Sequence, residues 1–401
     1  MRMVRGWSFI GWLTMVAMGS RARAQSFEDD LEFLKANGDV VVLKALDRQV
    51  VVSPRFQGRV MTSTPGAGLS CGYINRAGVQ RGESSKAAFY NYGGEDRFWL
   101  GPEGGQFALY FPPGAKQELK NWIVPPMFGA GAWQANDVRA DAVTFERQMT
   151  CVNASGVSLD IGVKRVVKLL PQDEVEKLVG ALGGAQWVAF ETANTITNVG
   201  KAPWTEATGA VSVWVLGMYH AAADAYVIAP YRRDAAGTIV NDEYFGKVPP
   251  DRLRRMTEAP VLLFKADGQK RSKIGLPPER AVDRIGSMDF AHNLLTVVSF
   301  TLKPGEQRFV NSMWENPQKN PFGGDVTNSY NDGPKDTGAP SDDFYELETS
   351  SPAALLKPGE ALTHVHRTLH IHAPIEQLEP FAQRMFGVSL AAVRAAVNAK
   401  N

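Results

Sequence analysis

Two glutamates separated by one residue, Glu346 and Glu348, sit in the alternating stretch Tyr345-Glu346-Leu347-Glu348-Thr349. In an extended strand they share one face, with Tyr345, Leu347 and Thr349 on the other, and lie about 7 Å apart. Carboxylates that close repel each other, which raises the pKa of one and equips the pair for acid/base work. Pairing of Glu346 with an arginine would make it structural instead. Four of the six histidines, His364, His366, His370 and His372, follow in one strand-like run and share a face with Thr368. His-x-His on a strand is a metal-ligand arrangement. An imidazole at such a position could equally serve as a general acid, or simply belong to a polar sheet face. His364 and His366 are the candidates for chemistry, His370 and His372 for structure. Only a short turn separates the two runs, so they are expected to pair as a hairpin. Glu348 and one histidine would then face a single cleft.

A second group lies earlier in the chain. Gly93 to Gly105 gathers three acids, Glu95, Asp96 and Glu103, and one guanidinium, Arg97, beside Phe98 and Trp99. Its glycines permit positive φ or close approach of backbone to a ligand. Sugars lay their C–H face on aromatic rings while charged side chains hydrogen-bond their hydroxyls, and this composition suits that mode. A tight, internally ion-paired turn would use the same residues structurally. The segment Gly323 to Pro334 reads as a loop dense in oxygen donors. Its Asp325, Asn328, Tyr330, Asn331 and Asp332 could contact hydroxyls or hold calcium, although no EF-hand spacing is present. Asx-rich runs are also ordinary turn formers. Trp314, just before, could add a stacking surface or a core residue.

The elements that must position these groups are mostly strands. The 38 glycines and 24 prolines among 401 residues are spread along the chain between short apolar runs, a pattern of many strands joined by turns. Strand-like runs are Val40–Leu43, Gln49–Val52, Val157–Leu170, Gln186–Thr197, Val211–Tyr219, Val261–Lys265, Leu294–Leu302 and Leu362–Ile371. Phe27–Leu34 predicts a short helix with Ser26 as N-cap and Gly38 as a stop. Ile375 to about Ala399 predicts helix again, with Leu378, Phe381, Met385, Leu390, Val393 and Val397 as its apolar positions. No repeat or linker divides the chain, so residues 25–401 read as one large sandwich domain. The long segments 234–255 and 317–341 are where a sheet scaffold would carry a site.

Leu347-Glu348-Thr349, a proline shortly after, then Leu356-Lys357-Pro358-Gly359-Glu360 and a strand resembles the C-terminal motif of the aldose 1-epimerases, or galactose mutarotases. That resemblance implies a mainly β supersandwich with terminal helices, and it places the family's catalytic base at Glu348. Asn194 to Pro203 also resembles that superfamily's central strand and turn. There the family continues with a His-x-Tyr-Phe-Asn motif carrying its general acid. This chain has Trp204-Thr205-Glu206-Ala207-Thr208 instead, and His220 lies several residues too late. Simple mutarotation is therefore not implied. Tyr92 to Gly105 together with the Glu-Leu-Glu-Thr-Ser-Ser-Pro run looks like an exported bacterial group of unknown function within the superfamily, over nearly the whole mature chain.

Residues 1–24 fit a signal peptide. Arg2 and Arg5 lie before the apolar stretch Trp7–Met18, and Ala22-Arg23-Ala24 forms a small-x-small cleavage site. The expected location is exported, periplasmic or extracellular. Cys71 and Cys151 could form a disulfide there or remain two buried thiols. A formal net charge of +1 gives no concentrated basic face for nucleic acid, and the mature chain has no run long enough to span a membrane. No phosphate loop, Gly-x-Ser-x-Gly elbow or nucleotide fingerprint occurs. The expectation is a carbohydrate-active protein working by acid/base chemistry at or near the anomeric carbon of a mono- or oligosaccharide, epimerase-like or glycoside-cleaving. The alternative is a non-catalytic sugar binder. No cofactor is expected, although calcium or a His-bound metal could be accommodated.

Overall fold

A computed structural model describes residues 26–66, 68–82, 91–334 and 341–399; the signal segment expected at residues 1–24 lies outside them. Alternation of apolar and polar residues organises much of the chain into antiparallel strands. Ten of these form one large sheet, in the order Leu253–Arg255, Val261–Lys265, Ala225–Pro230, Arg284–Asp289, Leu294–Phe300, Ala361–His372, Gln186–Asn198, Ser158–Leu169, Ala142–Val152 and Ala135–Asn136. Five form a second sheet, in the order Ser272–Leu276, Thr327–Asn331, Phe344–Ser350, Ser212–His220 and Arg97–Gly101. Val41–Ala45, Arg48–Ser53 and Arg59–Thr64 make a three-stranded meander.

The two larger sheets pack face to face. Phe98, Val213, Val215, Tyr345 and Leu347 from the smaller sheet meet Phe145, Phe190, Val227, Phe264 and Val298 from the larger, all of them buried. Truncating one such aromatic to alanine costs about 3–5 kcal/mol, so this layer fixes the strand alternation in the smaller sheet. A slip of one residue would turn every side chain to the wrong face.

The far side of the ten-stranded sheet is covered by helices. Leu378, Phe381, Met385, Leu390 and Val393 pack on Val261, Leu295, Val297, Leu369 and Ile371. The span read as one C-terminal helix is two, Ile375–Phe386 and Leu390–Asn398. Gly387 takes a left-handed conformation between them, and Ser389 caps the second by accepting from the Ala392 N–H. At the other end the helix Phe27–Ala36 starts as expected, with Ser26 Oγ accepting from the Asp29 N–H. Cys71 and Cys151 are both free and buried.

Candidate functional site

The inner face of the five-stranded sheet is occupied by core, so whatever the sheet presents must lie on its outer face. Register determines what that is. Glu346 is opposite Tyr330 and Met218, and Tyr330 is opposite Lys273. Glu348 is opposite Asn328 and Leu216, and Leu216 is opposite Arg97. Trp214 and Trp99 form the next pair along. One face therefore collects Arg97, Trp99, Trp214, Lys273, Asn328, Tyr330, Glu346 and Glu348 from all five strands, which are remote in sequence.

The charges on this floor are paired and almost completely buried. Arg97 Nη2 lies 2.7 Å from Glu346 Oε1, and its guanidinium sits 4.1 Å from the centroid of the Trp99 ring. Lys273 Nζ and Trp214 Nε1 both donate to Glu348 Oε2, at 2.8 Å and 2.9 Å. The second oxygen, Glu348 Oε1, is buried and accepts no hydrogen bond. Burial pushes the Glu346 carboxyl up to about 7, with Glu348 adding to the rise and Arg97 opposing it. Burial alone would lower Lys273, but the charges of Glu348 and Glu103 hold it above its ordinary value.

Half-buried groups from the loops form the walls. Glu103 Oε1 accepts from Trp122 Nε1 at 2.8 Å, and Trp314 also hydrogen-bonds the Glu103 carboxyl. Burial raises the pKa of Glu103, and the neighbouring Glu348 charge raises it further against Lys273. Asp325 is a second half-buried carboxyl, whose Oδ2 accepts from Tyr244 Oη at 2.6 Å and Asn241 Nδ2 at 3.2 Å. Asn328 Nδ2 donates to Tyr244 Oη at 3.0 Å. Burial pushes Asp325 up to about 6 despite those donors.

Two glycines make the walls possible. A Cβ on Gly104 would stand 2.2 Å from the Met313 carbonyl oxygen, and one on Gly275 would stand 2.0 Å from Asp325 Oδ2. Only glycine lets the Glu103 turn seat against the Trp314 segment and lets Asp325 lie across the strand.

The site departs from the sequence reading in several places. The Glu348 strand and the histidine strand do not form a hairpin: Phe344–Ser350 pairs with Thr327–Asn331 and Ser212–His220, while Ala361–His372 pairs with Leu294–Phe300 and Gln186–Asn198. The connection crosses from one sheet to the other. His364 and His366 therefore meet the back of the Glu348 strand, where both bond Thr349 Oγ1, at 2.8 Å and 2.9 Å. Neither shares a cleft with Glu348. Burial lowers their pKa values to about 3 and about 4, so both are neutral imidazoles.

Glu95 and Asp96 also point between the sheets. Glu95 Oε2 is 2.6 Å from His370 Nε2, and Asp96 bonds Arg165 at 2.6 Å and Thr192 at 2.7 Å. The run read as an oxygen-rich loop contains the strand Thr327–Asn331, so its residues alternate. Asn328 and Tyr330 face the cleft. Asn331 is tied to the Lys270 and Asp332 carbonyls, and Asp332 accepts from Tyr330 Oη and the Asp342 N–H. Among the described residues no group of three or more His, Cys, Asp or Glu side chains converges as a metal site.

Arg97, Trp99, Glu103, Trp314, Asp325, Asn328, Tyr330 and Glu348 are thus brought together, and Glu346 joins them in the arginine pair that was its structural alternative. Lys273, Tyr244, Trp122 and Trp214 were missed. Lys273 lies in the short strand Ser272–Leu276, where a lone lysine among Ile274, Gly275 and Leu276 was the available signal.

Solved structures of similar shape exist. The Slr1438 protein from Synechocystis sp. PCC 6803 matches with a TM-score of 0.50 and 11% identity, covering 84% of this chain and 96% of that one. A candidate aldose 1-epimerase (b2544) from Escherichia coli K12 matches at 0.49 and 11%, covering 83% and 99%. A galactose mutarotase-like protein from Lactobacillus casei ATCC 334 matches at 0.44 and 10%, covering 83% and 100%. The fold is a mainly β sandwich of large antiparallel sheets with helices at both ends, the shape shared with the Slr1438 protein. No curated protein matches in sequence. Over residues 25–397 the chain belongs to a family of unknown function, DUF6786.

Proposed function

We propose that the outer face of the five-stranded sheet is a carbohydrate site with acid/base chemistry at or near the anomeric carbon, and that Glu348 is its base. One observation carries this reading. Glu348 has one oxygen fixed by Lys273 and Trp214 and the other buried without a donor. A carboxylate held this way is oriented, poorly solvated and has a lone pair free to take a proton. The surroundings suit a sugar: the half-buried Trp314 and Tyr244 supply ring faces over a floor that holds Trp99, Trp122 and Trp214, and Arg97, Asn328 and Asp325 supply hydroxyl partners. The resemblance of Leu347-Glu348-Thr349 to the aldose 1-epimerase motif, which gives Glu348 the place of the base, supports the reading.

Glu103 is the proton donor in this reading. It reaches the cleft from the half-buried wall, and burial with the nearby Glu348 charge keeps its proton on longer than usual. In an epimerase-like turnover Glu348 takes the anomeric hydroxyl proton, the bond from the anomeric carbon to the ring oxygen breaks, and Glu103 protonates that oxygen. In a glycoside-cleaving turnover Glu103 protonates the leaving oxygen and Glu348 takes a proton from the attacking water. Residues 1–24 add the proposal that this happens outside the cytoplasmic membrane, checked by N-terminal sequencing of the protein from fractionated cells.

Glu348→Gln tests the assignment. Turnover of free aldoses and aryl glycosides should fall about 10²–10⁴-fold while sugar binding persists. Turnover that survives the substitution removes Glu348 as the base. Binding with no turnover by the unaltered protein on any of these probes would instead mark a sugar binder.

A further inference from the structure

The outer face does not end at the carboxylates. Past Glu346 the same side of the strand continues to Phe344, opposite His220. The Phe344 ring lies between two tyrosines, with Tyr330 at 5.7 Å and Tyr73 at 5.3 Å between centroids. Tyr73 in turn meets His220 edge-on at 5.8 Å. On the cleft rim Phe245 meets Tyr330 edge-on at 5.9 Å and carries the Arg271 guanidinium 3.9 Å from its ring centroid. The result is a continuous row of rings, Phe245, Tyr330, Phe344, Tyr73 and His220, that begins beside Glu346.

The row is a surface feature. Phe245 is 40% exposed, and Tyr330, Tyr73 and His220 are half-buried, while only Phe344 is closed off beneath them. Glu348 and Phe344 are four residues apart on an extended strand, about 13 Å, which is longer than a single sugar ring. The aromatic row therefore lies outside the group formed by Glu348 and Glu103. Exposed aromatic rings with polar groups beside them suit successive sugar units, C–H face to ring and hydroxyls to Tyr330 Oη and Arg271.

We infer that the substrate is an oligosaccharide, with its reacting unit at Glu348 and further units laid along Tyr330, Phe245 and Tyr73. This rests on the carbohydrate reading above and names the length of chain that the site takes. Titration of the full chain, followed by Trp fluorescence, tests it with glucose, xylose and N-acetylglucosamine and with the cello-, malto-, xylo- and chito-oligosaccharides of two to six units. Affinity should rise by about tenfold or more between the monosaccharide and the tetrasaccharide of one series. Phe245→Ala should remove most of that gain with length, and Phe245→Tyr should restore it; Phe245 is exposed, so both variants fold. Equal affinity for monosaccharide and tetrasaccharide, or a gain that Phe245→Ala leaves intact, overturns the inference and leaves the carbohydrate site standing. No binding to any of these sugars overturns both.

Discussion

The two faces of the strand Phe344–Ser350 carry buried polar groups of the same kinds and use them differently. Behind the strand, Asp96 and Arg165 are fully buried 2.6 Å apart. Arg165 spends its Nε, Nη1 and Nη2 on Gly58, Asn194 and Asp96. Glu95, His370 and Thr296 form a second chain, and Thr349 ties His364 and His366. All of these groups lie between two packed sheets. In front of the strand, Arg97–Glu346 and Lys273–Glu348 are also buried pairs, but half-exposed loop residues roof them. Glu95 Oε1 and Glu348 Oε1 both lack a donor, but the first lies between the sheets and the second on the outer face beneath half-buried loop residues. Position in the fold, and not burial or pairing, separates the two polar clusters.

Breaking the inner cluster should give the largest effect on the fold. Arg165→Met leaves Asp96 charged and unpaired between the sheets, and should cost about 3–5 kcal/mol in denaturant unfolding. A loss below about 1 kcal/mol would show that the inner pair is not the structural brace described. Lys273→Met on the outer face should be milder for the fold, because Glu348 keeps the Trp214 donor. Its cost should appear in turnover, about 10- to 100-fold, the value of one hydrogen bond to a charged group.

A third effect concerns pH. His364 and His366 stay neutral in the fold down to about 3 and about 4, whereas the unfolded chain protonates histidine near about 6.5. The unfolded state therefore takes up protons first as pH falls. Stability is complete above about 6.5 and declines below it, with a limiting slope of about 1.4 kcal/mol per pH unit for each histidine. Glu346, raised to about 7, acts in the opposite sense because the folded chain holds its proton longer. The histidine part is read as the difference between the unaltered protein and a His364→Gln, His366→Gln double variant. That difference in denaturation midpoint should shrink from pH 7.5 to pH 5. A constant difference would show that these imidazoles do not titrate on unfolding.

How much of this was legible in the sequence depended on range. Alternation is local, so the strands, the facing of Glu346 with Glu348 and the N-terminal helix with its Ser26 cap could all be read directly. The partner of each strand is not local. A turn as short as Lys357–Glu360 reads as a hairpin, but here the chain crosses to the other sheet, which sent the histidines to the wrong side of Glu348. Glu95 and Asp96 misled for a related reason, because their partners Arg165, Thr192 and His370 are distant in sequence. Lys273 was hidden in a strand of five residues, too short to show a period. Tyr244 and Trp122 lie in loops whose approach to Glu348 is set by the fold alone.

The most direct test of the account is a crystal structure of the Glu348→Gln variant soaked with a mixture of mono- and oligosaccharides. The account predicts a sugar oxygen within hydrogen-bond distance of the residue 348 side chain, with Glu103 on the opposite side of the reacting unit and further units running toward Tyr330 and Phe245. Sugar bound elsewhere on the molecule, with the outer face of the five-stranded sheet empty, would contradict it.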